Sequence, residues 1–125
     1  MKAVSIVALL ALIEYLWFGI QTGQARVRYG IKAPAVTGDP MFERYYRVQQ
    51  NTLEQLVVFL PSLYLFSWYV NHTLAVLLGL VFVAGRLVYA RSYVADPETR
   101  GVGFGIGAVA NVLLLVGSLL GVLFA

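Results

Sequence analysis

The chain has 125 residues, 60% of them hydrophobic and 12% charged, with a formal net charge of +3 and a mean hydropathy of +0.79. That leaves too little polar surface to cover a soluble globule, so residues 1–125 read as one all-α domain of an integral, multi-pass membrane protein, with four spans of roughly 20 residues each. The lack of cysteine excludes disulfides, thiolate metal sites and a cysteine nucleophile, and the small, dispersed positive charge carries no nucleic-acid footprint.

The first span is predicted from about Ala3 to Ile20, apolar except for Ser5 and Glu14. Lys2, the apolar core and Gly23-Gln24-Ala25 loosely fit a cleavable signal, but Glu14 inside the core argues against cleavage. A polar stretch from Gln21 to Pro40, rich in Gly, Pro and basic residues, reads as a loop. The second helix is predicted to start at Asp39-Pro40, a good N-cap followed by Pro at the first helical position, and to run to about Tyr69, with Pro61 a candidate kink. Its first three turns are polar and only Leu53 onward suits lipid. Phe59, Tyr64, Phe66, Trp68 and Tyr69 are expected to face lipid or the interfacial belt.

Asn71-His72 makes a minimal turn before a third span from about Thr73 to Tyr93. His72 has no carboxylate or second His at ligand spacing, so no metal is expected there. Asp96-Pro97-Glu98 then reads as the N-cap of a fourth helix that ends near the C-terminus. Gly101, Gly103, Gly105 and Gly107 lack the Lys and the strand context of a phosphate loop; small-residue helix packing, continued by Gly117 and Gly121, explains them better. Eight of the nine basic residues fall on or near the side of the first and third connections, leaving only Lys2 opposite. The positive-inside rule therefore puts those connections in the cytoplasm and both termini outside.

The polar residues converge when read by helical angle. At about 100° per residue, Arg44, Arg47, Asn51 and Glu54 fall within roughly 80° on the second helix, and Arg86, Tyr89 and Tyr93 within roughly 60° on the third. Gln49 points well over 90° away from the first stripe. Individually, each residue is explained about as well by interhelical pairing or by belt anchoring. Together, the guanidinium groups, an amide, a carboxylate and two phenols exceed what anchoring needs and suit a small zwitterion with several carboxylates and amides. Glu14 either pairs with Arg86 or faces a polar cavity. Arg100 sits against the positive end of a helix dipole, which Glu98 or a lipid phosphate would offset; the functional alternative is an anion held between helix N-terminus and guanidinium.

These residues carry a resemblance. Phe42-Glu43-Arg44, Arg47-x-Gln49-x-Asn51-x-x-Glu54, Gly85-Arg86-Leu87-x-Tyr89-x-x-x-Tyr93 and Arg100 together resemble the MAPEG family, the membrane-associated proteins in eicosanoid and glutathione metabolism, over nearly the whole chain. The resemblance implies a four-transmembrane-helix bundle assembled as a homotrimer, with glutathione as co-substrate bound between subunits toward the cytosol and no metal. Residues matching Arg47, Asn51, Glu54, Arg86, Tyr89 and Tyr93 hold glutathione from one subunit in similar members, and those matching Arg26 and Gln49 reach it from the neighbour. Arg28 is the alternative to Arg26. Arg100 matches the arginine that stabilises the glutathione thiolate. Gln55 stands where leukotriene C4 synthase-like members have a tyrosine, and Val88 replaces a basic residue, which argues against leukotriene synthesis.

The expected function is thus a membrane glutathione transferase that conjugates glutathione to hydrophobic electrophiles or reduces lipid hydroperoxides with it. The alternative is a non-enzymatic, lipid-binding or partner-presenting scaffold of the same family, disfavoured by the presence of both Arg47 and Arg100.

Overall fold

The computed structural model describes all 125 residues, which form four long helices and their connections: α1 (Lys2–Tyr29), α2 (Pro40–Tyr69), α3 (His72–Ala95) and α4 (Gly101–Leu123). Local chemistry fixes their ends. Asp39 Oδ1 accepts hydrogen bonds from the amides of Met41 and Phe42 at 2.8 and 3.1 Å, with Pro40 at the first helical position, so α2 starts and stops where its sequence signals place it. Asn71 caps α3 in the same way through the Leu74 amide.

Two boundaries differ from expectation. The segment Gln21–Tyr29 is not a loop but continues α1 for more than two turns, until Gly30 takes the left-handed conformation (φ 70°) that closes the helix. Polarity there marks exit from the apolar layer rather than loss of helix. Thr22 Oγ1 ties this extension to the Phe18 and Tyr45 carbonyls, and Arg26 stacks over the Phe42 ring at 4.8 Å. At the other junction, Asp96 caps a 3₁₀ turn (Pro97–Thr99) through the Glu98 amide, and α4 begins only at Gly101. Arg100 therefore occupies the cap position rather than the first turn, and its Nη1 donates to the Pro97 carbonyl at 2.8 Å instead of pairing with Glu98.

The helices alternate in direction, which brings the Met1 ammonium to His72 and Gly121 against Val70, so both termini share one end with the α2–α3 turn. The α1–α2 and α3–α4 connections share the other. Three helical segments, Lys2–Tyr29, His72–Ala95 and Pro97–Leu123, are long and apolar enough to cross a membrane. The fourth, α2, has the length at 30 residues but carries charge in its first half, and it packs against all three others. The chain is an integral membrane protein.

Close backbone approach organises the packing. A Cβ at Gly103 would lie 2.6 Å from the Tyr89 Cα, and one at Gly85 would lie 2.8 Å from the Gly107 amide nitrogen, so α3 and α4 touch backbone to backbone. Gly101 and Gly105 face away and meet nothing within 4 Å. Phe59 and Phe66, expected toward lipid, are instead buried: Phe59 stacks on Phe82 with centroids 3.9 Å apart, and Phe66 lies against Gly117. Removing two large rings from lipid requires facing partners that a single-helix reading cannot supply.

Candidate functional site

Where the polar half of α2 meets α3 and the start of α4, the fold forms a cleft of about 270 Å³. Arg47 and Asn51 from α2, Tyr89 and Tyr93 from α3, and Arg100 and Phe104 from the α4 start line it. Part of each angular stripe predicted on α2 and α3, Arg47 with Asn51 and Tyr89 with Tyr93, therefore faces the other across the cleft. The glycine crossing is what makes this work, because Gly103 lets α4 close on the Tyr89 backbone and brings Arg100 alongside the tyrosines.

Arg86 lies beneath the cleft at 1% exposure. Its guanidinium carbon sits 4.2 Å from the Tyr89 ring centroid, and Nη2 donates to Thr52 Oγ1 at 2.8 Å. Thr52 in turn donates to the Val48 carbonyl. A cation fixed under a phenol ring orients that ring by electrostatic attraction to its face. The Tyr93 and Phe104 rings lie 5.6 and 6.1 Å from that of Tyr89, so the phenols are held in an aromatic cluster.

Three features give the cleft its chemistry. Arg47 and Arg100 place two positive charges on its walls, and no carboxylate lines it. Glu54, three residues after Asn51 on α2, forms the chain's one ion pair, to Arg47 at 3.5 Å; both side chains are about half exposed, so the pair is worth about 0–1 kcal/mol and does not lock Arg47 away from a competing carboxylate. Finally, Asn51 Oδ1 and Arg86 Nε are buried with no hydrogen-bond partner, a condition that buried polar groups rarely keep.

The remaining predicted residues lie elsewhere. Gln49 points at α1, its Nε2 3.2 Å from where a Cβ of Gly19 would stand, on a different face from the cleft. Arg26 closes the end of α1, donating to the Ala35 carbonyl at 2.7 Å, while Arg28 lies about 200° round the helix from it. Arg44, at the end of the α2 stripe, caps the C-terminus of α3 through the Val94 and Ala95 carbonyls. The expected pairing of Glu14 with Arg86 does not form: both Glu14 oxygens are buried without a hydrogen-bond partner, and no ion pair joins the two residues. Two side chains in or beside the site, Phe104 and Thr52, escaped sequence reasoning. Phe104 stands one turn after Arg100, a weak signal, and Thr52 reads as one more small polar residue in the polar first half of α2.

Comparison with known proteins identifies the family. Residues 4–120 match the MAPEG family model. The chain belongs to the MAPEG family. Among its relatives, an uncharacterised protein of Synechocystis is 46% identical over 120 residues, covering 96% of this chain and 88% of that protein. Human microsomal glutathione S-transferase 2 is 38% identical over 114 residues, covering 90% of this chain and 78% of that protein. Guinea-pig leukotriene C4 synthase is 35% identical over 117 residues, with 94% and 78% covered. The MAPEG match takes in every residue of the cleft.

Proposed function

We propose that this MAPEG protein is a membrane glutathione transferase whose cleft binds glutathione and raises the fraction of its thiol present as thiolate. The observation that carries the reading is the convergence of Arg47, Asn51, Tyr89, Tyr93 and Arg100 on one cleft whose buried Asn51 acceptor is unpaired. The names of the transferase and synthase relatives support it.

Glutathione offers two carboxylates, an ammonium, two amides and a thiol. Arg47 can grip a carboxylate bidentately, Glu54 can receive the ammonium, and Asn51 can accept from an amide while donating to a carbonyl. A free thiol with a pKa of about 8.5 is only a few per cent ionised at neutral pH. Arg100, standing at the head of α4 where backbone amides point outward, supplies positive charge and dipole to a sulfur placed beside it. The thiolate then attacks an electrophilic carbon, the carbon–halide bond of an aryl halide breaks, and halide leaves. With a lipid hydroperoxide the sulfur takes the outer oxygen, the O–O bond breaks to release the alcohol, and a second glutathione reduces the sulfenic acid to disulfide and water.

In this reading the protein is a homotrimer, and the neighbour completes the site through Arg26 and Gln49, which within one chain face away from its cleft. The ends carrying the first and third connections face the cytoplasm. Calorimetry with glutathione, thiolate absorbance, and turnover of an aryl halide and a lipid hydroperoxide test the proposal. Arg100→Ala is expected to keep glutathione binding while losing most thiolate absorbance and turnover. An unaltered rate in that variant refutes the thiolate role, and no saturable glutathione heat from the wild type favours the scaffold alternative.

A further inference from the structure

A second and larger groove, of about 490 Å³, opens between α1, α2 and α3. On α3 its residues lie roughly 140° round the helix from those of the cleft, so the two cavities do not share a wall face. Eight of its ten lining residues are apolar, among them Trp17, Val48, Leu87 and Val94; the polar ones are Gln21 and Arg91. Its size falls in the range of small-molecule pockets, about 300–1,000 Å³.

The polarity of the groove is graded along the bilayer normal. Arg91 stands four residues before the end of α3, and Leu87 a turn deeper, each step being about 6 Å. A 24-residue helix is about 36 Å long against a hydrocarbon thickness of about 30 Å, which puts Arg91 within a few ångströms of the headgroup boundary. Trp17 and Leu87 are 49% and 43% exposed, so the groove opens sideways at acyl-chain depth. Arg91 has no carboxylate partner, since the chain's one ion pair is Arg47 with Glu54, and no acidic residue lines the groove. Arg44, at the same end of α3, differs in having its guanidinium occupied by the Val94 and Ala95 carbonyls. Arg28 falls within about 20° of Gln21 on α1 and two turns above it, adding a second cation over the mouth.

We infer that this groove binds one anionic phospholipid of the surrounding bilayer, its phosphate on Arg91 and an acyl chain between α1 and α3. A cation at the interface above an apolar slot that opens into the hydrocarbon layer selects an anionic amphiphile supplied from the membrane. The lipid bridges α1 to α3 and leaves the cleft side of α2 and α3 untouched.

Native mass spectrometry of the full-length protein, equilibrated with phosphatidylglycerol or phosphatidylcholine of identical chains, tests the inference. Wild type is expected to retain phosphatidylglycerol preferentially, Arg91→Gln to lower that preference roughly fivefold, the attraction of one cation to an anionic lipid surface, and Leu87→Trp to reduce retention of both lipids by filling the slot. Glutathione turnover should be unchanged in both variants. Equal retention of the two lipids by wild type, an undiminished preference in Arg91→Gln, or full competition by inorganic phosphate or by free oleate overturns it. So does disulfide crosslinking between Trp17→Cys on two subunits, which would show the grooves of two copies closed against each other.

Discussion

Gly103→Ala should disable the cleft without changing the identity of any residue that lines it. The added Cβ would stand 2.6 Å from the Tyr89 Cα and 2.8 Å from the Val88 carbonyl carbon, both backbone atoms that cannot rotate aside. Favourable contact between carbons needs about 3.5–4.0 Å, so α3 and α4 must part by roughly 1 Å at the level of the site. Overpacking of this kind costs about 1–3 kcal/mol, partly offset by the gain of up to about 1 kcal/mol in helix propensity on replacing glycine with alanine. The larger effect is on function. Arg100 and Phe104 ride on α4 and Tyr89 and Tyr93 on α3, and a misplacement of about 1 Å can lower turnover about 100-fold, or roughly 2.7 kcal/mol in the barrier. Gly105→Ala is the matched control, because nothing lies within 4 Å of its Cβ position and it gains the same propensity. Glutathione–aryl halide turnover, measured with thermal melting in one detergent, should show Gly103→Ala down by about two decades with a slightly lowered midpoint, and Gly105→Ala at wild-type rate with an equal or raised midpoint. Equal turnover of the two variants would refute the claim that the glycine crossing positions the site.

Asn51→Leu removes a buried acceptor that has no partner, so the ligand-free protein should melt within about 1 kcal/mol of wild type, while glutathione affinity by calorimetry falls at least about tenfold. Thr52→Val strips Arg86 Nη2 of its hydrogen-bond acceptor and should cost about 1–3 kcal/mol in stability; Thr52→Ser should restore both stability and glutathione affinity, and a failure of rescue would refute the hydroxyl's role. Asp39→Ala deletes the cap of α2 and should lower stability by about 0.5–2 kcal/mol in a denaturation midpoint, with glutathione affinity changed little because the cap lies two turns from Arg47.

What could be read from one dimension follows from where each constraint acts. The α2 boundaries were legible because Asp39 and Pro40 act on amides two and three residues away, within the reach of the sequence itself. The cleft stripes were legible because helical angle is fixed by backbone geometry, so Arg47 with Asn51 and Tyr89 with Tyr93 had to share faces whatever lay opposite. The α1 extension was not, because Gln21–Tyr29 is polar for the same reason a loop is polar: it meets water. Its helicity depends on Thr22 reaching the Tyr45 carbonyl and Arg26 reaching Phe42, contacts across 23 and 16 residues.

Glu14 and Arg86 show the limit most clearly. Opposite charges on apolar spans suggest a pair, yet helical angle says nothing of rotation between helices, and the guanidinium goes to Thr52 on α2 instead. That choice has a consequence for the site. With Arg86 held from α2 and pressed against Tyr89 on α3, the cation couples the two cleft walls, whereas a pair with Glu14 would have drawn it toward α1. A residue that looks like an ordinary Thr among the polar residues of α2 therefore decides what the buried charge is for, which is why Thr52→Ser rescue separates a positioning role for the hydroxyl from simple packing.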